Sequence, residues 1–180
     1  MARALRPYIE LFARRGLAIF FTRDWHPPRH SSFREQGGPW PAHCVAGTKG
    51  AEFHDELPVP ASAVVVSKAT LPDQEAYSGF QSTGLEEELL GRGTRRILVG
   101  GLATDYCVRA TVLDGLRAGL RAAVLEDAVA AVDVKPGDGA RALREMADAG
   151  AVTARFAELE AGERLPPGGE PGARGPRSAR

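Results

Sequence analysis

The sequence predicts an α/β fold in which helices cover a parallel sheet. Two observations predict it. Short apolar runs, several rich in β-branched residues, recur at 17–21 (LAIFF), 63–67 (AVVVS), 96–100 (RILVG), 121–126 (RAAVLE) and 151–154 (AVTA), and such runs have the length of strands. Segments with helical periodicity and helix-end signals lie between them, and strands joined through helices run parallel with right-handed crossovers.

Each element has a local reason. Pro7 suits the first position of a helix on which Ile9, Phe12 and Ala13 share a face, and Gly16 ends it. LAIFF is continuously apolar, as a strand covered on both faces would be. AVVVS is the second strand. Thr83 and Glu86 form a capping-box pattern for a helix through Leu90 that closes near Gly91. RILVG is the third strand. Thr104 or Asp105 can cap a helix carrying Val108, Val112, Leu113 and Leu116 on one side, with Gly119 as its stop. RAAVLE, a helix over about 138–149 and the short AVTA complete a domain expected over 1–160. In residues 161–180, nine are Gly or Pro and Leu165 is the only large apolar side chain. Such a tail buries too little to offset its ordering entropy and is expected to be disordered.

Composition excludes several partners. The 180 residues suit one domain, and Lys+Arg and Asp+Glu balance at 23 each, so charge argues for neither nucleic acid nor a membrane surface. No apolar run approaches the ~20 residues of a spanning helix, and no signal peptide opens the chain. A cytoplasmic protein is expected, with Cys44 and Cys107 as reduced thiols. The sequence leaves the oligomeric state open, a homo-oligomer included.

In parallel α/β sheets, ligands bind beyond the carboxyl ends of the strands. Asp24 and His26 follow the first predicted strand, Lys68 the second, and the loop GLATDYC the third. Three of the four histidines fall in DWHPPRHSSFREQGGPWPAH, residues 24–43. Asp24 and His26 are two apart, so in an extended segment they share a side, and His43 can join them from the far end of the loop. A carboxylate with two imidazoles leaves coordination positions open, as catalytic zinc or iron sites require. His30 is a possible fourth ligand. Spacing alone leaves open a surface loop whose histidines only hydrogen-bond. His54 has no partner nearby and reads as structural.

Cys107 lies just inside a helix start, where unpaired N–H groups and the positive dipole end favour a thiolate. Lys68 would lower the thiol pKa further. That placement suits covalent acyl transfer, with N–H groups around Ala103 and Cys107 facing the oxyanion. A buried cysteine packing under the helix, and a solvated strand-end lysine, fit the same positions. Cys44 reads as a packing residue.

The segments DWHPPRHSSF, GPWPAHCVAGTKGAEFH, SKAT, DQEAYSGFQSTGL and GLATDYCVRAT together resemble the nicotinamidase branch of the isochorismatase-like cysteine hydrolases, over about residues 5–155. The resemblance implies that family's three-layer, Rossmann-like fold and hydrolysis of nicotinamide to nicotinate and ammonia. It makes Cys107 the nucleophile and Lys68 the lysine that polarises it. Asp24, His26 and His43 match the metal ligands, usually to zinc, with iron or manganese as alternatives. His30 matches a ligand of only some members. Trp40 matches an aromatic that stacks on the pyridine ring, Tyr77 lies in the loop closing that pocket, and the Leu102–Ala103 peptide matches a cis bond.

The family's chain normally begins with a strand ending in a D-x-Q-x-D-F-like segment that carries the general acid and base, and a phenylalanine facing Trp40. No such segment is seen here. A misplaced start is the expected explanation, ahead of a truncated relative or a strand supplied by a partner, and these 180 residues alone are expected to be impaired. Another amide or carbamoyl hydrolase of the same superfamily, and a non-catalytic ligand-binding relative, are the alternatives.

Overall fold

The computed structural model describes residues 1–162 and Gly168. The expected tail therefore lies, save Ala161, Gly162 and Gly168, outside the described residues. The chain forms two compact units, one over Ala2–Leu85 and the other from Glu86 onward.

The first unit opens with α1 (Ala2–Arg14), which buries Tyr8, Ile9 and Leu11. Pro7 lies inside this helix rather than at its start. It removes one helical N–H, but the preceding turn is held from outside. The Arg3 guanidinium donates to the Glu56 carboxylate at 2.8 Å, and Arg6 donates to the Glu56 carbonyl at 2.8 Å. Gly16, at φ 63°, ends the helix as predicted, with Gly16 N–H bonding Ala13 O and Leu17 N–H bonding Phe12 O. That closure uses Leu17, so the first strand starts three residues later than the apolar run suggests.

Strand β1 (Phe20–Asp24) pairs in parallel with β2 (Val64–Lys68), in a register that sets Phe20 opposite Val64 and Asp24 opposite Lys68. Asp24 and Lys68 are thus the last residues of their strands, not the first residues beyond them.

The second unit takes in α2 (Leu85–Gly91), β3 (Arg96–Leu102), a π-helical turn over Thr104–Val108, α3 (Arg109–Arg117), β4 (Arg121–Ala130), α4 (Asp138–Asp148), β5 (Val152–Ala154) and α5 (Phe156–Glu160). The Thr83 hydroxyl accepts the Leu85 N–H at 3.3 Å, so Thr83 caps the start of α2, one residue short of the Glu86 partner that the capping-box pattern predicted. The strands run parallel in the order β3-β4-β5. The five described strands therefore form two ladders, β1-β2 and β3-β4-β5, where the alternation predicted one sheet.

Strand β4 runs four residues past the predicted Glu126. Val99 pairs with Val124, but the next pair is Gly101 with Val129, so β4 bulges while β3 passes one residue. Gly101, at φ 117°, takes a conformation that favours glycine. The core of this unit joins Val108, Val112 and Leu116 to Ala122, Val124, Met146 and Ala151, with Ile97, Val99, Val129 and Leu143 packed against them. Gly119, at φ 85°, stops α3 as predicted.

Met146 is 1 % exposed in that core and Val134 is 60 % exposed. Met146→Ala is expected to lower unfolding stability by about 2–5 kcal/mol, and Val134→Ala by under about 0.5 kcal/mol. Urea unfolding measures both, and equal losses would place the core elsewhere.

Candidate functional site

In the first unit the two strand ends meet as a charged pair. Lys68 is 3 % exposed, and its ammonium donates to the Asp24 carboxylate and, at 2.9 Å, to the Ala76 carbonyl. Beyond β1 the backbone stays tied. Trp25 N–H bonds Lys68 O, His26 N–H bonds Cys44 O, and Ala46 N–H bonds His26 O. The resulting bridge between His26 and Val45 brings the far end of the loop, with His43, back beside His26.

The donor atoms of Asp24, His26 and His43 lie within 4.8 Å of one another. Both imidazoles are prepared for a cation. His43 Nδ1 lies 2.8 Å from the Pro41 carbonyl. A carbonyl only accepts, so Nδ1 carries the proton and Nε2 presents its lone pair. His26 is 1 % exposed, and its Nδ1 is a buried atom with no hydrogen-bond partner, which a metal would satisfy. Burial pushes the His26 pKa below its ordinary value, with Asp24 opposing and His30 and His43 reinforcing. The neutral imidazole is the ligand form. The donor set therefore fits a divalent cation.

His30, 0 % exposed, is placed differently. Its Nε2 donates to the Gln74 carbonyl at 3.2 Å, and its Nδ1 lies 2.7 Å from the Ser32 hydroxyl. Its donor atom also falls within 4.8 Å of those of His26 and Glu75, but its lone pair already takes the Ser32 hydroxyl. His30 thus ties residues 30–32 to the 74–76 segment. His54 is exposed and accepts the Glu56 N–H at 3.2 Å.

Phe33 was not singled out from the sequence. It is 1 % exposed, with its ring 5.4–5.8 Å from those of His26, His30 and His43. Its place directly after HSS was the available signal. Around it, residues 32–40 fold back: Trp40 N–H bonds Ser32 O, Arg34 N–H bonds Trp40 O, and Gly38 N–H bonds Phe33 O. A Cβ on Gly38 would stand 2.1–2.5 Å from backbone atoms of Ser31 and Ser32. Trp40, presented by this loop, donates its indole N–H to the Tyr77 hydroxyl at 3.0 Å. The structure thus joins Trp40, expected to stack on the ring, to Tyr77 of the loop expected to close that pocket.

In the second unit, β3 ends at Leu102, 62 % exposed, and a cis peptide leads to Ala103, which is 9 % exposed. The expected helix begins instead as a π turn, because Val108 N–H reaches back five residues to Ala103 O. Cys107 lies within that turn, half-buried, with a reduced thiol. Neither Thr104 nor Asp105 caps the helix with its side chain. The Asp105 carboxylate instead accepts Val132 N–H at 3.0 Å and Asp133 N–H at 2.9 Å.

Parallel strands with flanking helices define an α/β protein, with a carboxylate–imidazole set at one strand end in the first unit and a cysteine turn after a strand in the second. Residues 1–158 match the Isochorismatase domain, and the chain belongs to that family. It is 37% identical over 167 residues to the nicotinamidase of Escherichia coli (strain K12), covering 81% of this chain and 78% of the relative. It is 39% identical over 140 residues to the nicotinamidase/pyrazinamidase of Mycobacterium tuberculosis, covering 73% and 74%. The crystal structure of the pyrazinamidase of Pyrococcus horikoshii in complex with zinc superposes with a TM-score of 0.81 at 51% identity, covering 84% of this chain and 83% of that one. No helix among the described residues is long and apolar enough to cross a membrane.

Three substitutions test the first-unit geometry. His26→Asn is expected to weaken zinc binding by more than about tenfold, while His54→Asn leaves it unchanged; competition with a chelating dye reads both. Gly38→Ala, against rigid backbone, is expected to weaken zinc binding and lower Tm. An unchanged Tm and affinity would mean that the loop has room to move.

Proposed function

We propose that the protein is a metal-dependent amidohydrolase that converts nicotinamide to nicotinate and ammonia. The observation that carries this reading is the Asp24–His26–His43 donor set, with its orphaned buried nitrogen. The E. coli and M. tuberculosis relatives support it through the activities their names state.

In this reading Asp24, His26 and His43 hold the metal, with zinc favoured because the Pyrococcus relative was solved with it. When bound, the metal supplies a Lewis acid for the pyridine nitrogen. Trp40 presents an aromatic face to the ring, and its bond to Tyr77 fixes the angle of that face. The family resemblance gives Lys68 the role of polarising the nucleophile.

Cys107 is the nucleophile. Its thiolate sulfur forms a bond to the carboxamide carbon, and the carbonyl oxygen takes the negative charge, which the Ala103 amide stabilises. The carbon–nitrogen bond then breaks, and the nitrogen, taking up through solvent the proton that the Cys107 thiol gave up, leaves as ammonia. Water attacks the thioester, releasing nicotinate and returning the thiol.

The test is ammonia release from nicotinamide by the zinc-loaded chain. The expected result is slow release of nicotinate and ammonia in equal amounts, falling to background in Cys107→Ser. Undiminished release by that variant would remove Cys107 from the reaction. Turnover of a carbamoyl amide with nicotinamide untouched would assign the chain to another substrate.

A further inference from the structure

We propose that Asp105 is the positioning residue of the nucleophile turn, an inference that rests on reading Cys107 as the nucleophile. The sequence suggested a helix cap at this position, and the structure gives Asp105 a longer reach. Its side chain, 7 % exposed, leaves the π turn and accepts two consecutive backbone N–H groups, those of Val132 and Asp133, one on each carboxylate oxygen.

That grip continues past the loop. Asp133 sits at φ 54° and accepts the Gly139 N–H at 2.7 Å in the first turn of α4. Gly139 is required there, since a Cβ would stand 2.5 Å from the Ala131 Cβ. The segment that Asp105 holds is thus fixed at its far end by α4. On the near side, Leu102 and Ala130 are paired in the sheet. The turn bearing Cys107 is therefore clamped at its base by the β3–β4 ladder and across the loop by a charge-assisted pair of hydrogen bonds.

A carboxylate with both oxygens taken by backbone donors is a stiff tether. It lies two residues before the sulfur, so its bonds set how the turn's N–H groups face that sulfur. Those N–H groups favour the thiolate. In Asn, one oxygen becomes an NH₂ that faces an N–H donor, so one bond is lost and the turn is freed to shift.

The test compares Asp105→Asn with Leu11→Ala, a buried variant in α1 of the first unit, well below the Tm of both. Alkylation of Cys107 by iodoacetamide at pH 7 is followed by peptide mass, with Cys44 in the same chain as reference. The expected result is that Asp105→Asn slows Cys107 alkylation by about threefold to tenfold and lowers kcat by about 30–100-fold with KM within twofold, while Leu11→Ala changes none of the three. Faster alkylation in Asp105→Asn would show that only the carboxylate's charge mattered, and the proposal would fall. An unchanged rate would reduce Asp105 to a stabilising role and overturn it equally. If Asp105→Asn does not fold, Asp133→Ala, an exposed change at the receiving end, decides by the same alkylation readout. A wild-type chain that releases no ammonia would count against the amidohydrolase reading alone, because alkylation still reports on Asp105.

Discussion

A buried ammonium must be met by a fixed partner, and in the first unit that demand organises everything near the end of β2. Lys68 has only 3 % of its side chain exposed, and Asp24 supplies the counter-charge from the adjacent strand end. The pairing is possible because the β1–β2 register puts these residues opposite one another. Losing the partner of a buried charge costs about 3–5 kcal/mol; Asp24 is 22 % exposed, which places this pair toward the lower figure. The Ala76 carbonyl, accepting from the same ammonium, draws the 74–77 segment to the strand end. One charge thus fixes the register, the carboxylate of the donor set and the segment that carries Tyr77.

The histidines divide their work according to which ring atoms the backbone claims. Pro41 takes the proton side of His43 and leaves the other nitrogen open. Gln74 and Ser32 take both sides of His30. His26 keeps a buried nitrogen unpartnered. Three imidazoles a few residues apart in sequence thereby become a ligand, a brace and the centre of the set, and Phe33 excludes water from their edges. Residue type alone does not distinguish these roles, because they are set by which acceptor the fold brings to each ring: the Pro41 carbonyl, two residues away, to His43, and the distant Gln74 carbonyl to His30.

That difference explains what the sequence made legible. Apolar runs located the five strands, because burial of β-branched residues is a local signal. Gly16 and Gly119 located helix ends, because a left-handed residue is also local. The rule that ligands gather at strand ends put Asp24, His26 and Lys68 together before any contact was known. What could not be read depends on distant partners. Leu17 is drawn into the helix closure by Phe12 O. Pro7 is carried inside α1 by arginines held at Glu56. The bulge in β4 needs Gly101 on the neighbouring strand, and Asp105 looked like a cap because its true acceptor role lies 27 residues away.

Backbone conformation marks the same places independently. Among the described residues, left-handed φ occurs at only a few non-glycine positions: Cys44, Ala69, Ser82 and Asp133. Such a residue costs roughly 1–2 kcal/mol, so each needs surroundings that enforce it. Cys44 directly follows His43, Ala69 directly follows Lys68, and Asp133 is held by Asp105. Glycine would relieve the strain at each, but it would also free the backbone that aims the preceding side chain. A stiff, costly turn keeps the His43 ring on the donor set and the Lys68 ammonium on Asp24, where a relaxed one would let either swing away. Stability is thus surrendered at the positions where direction matters most, which is the pattern expected of a site that must be in place before its ligand arrives.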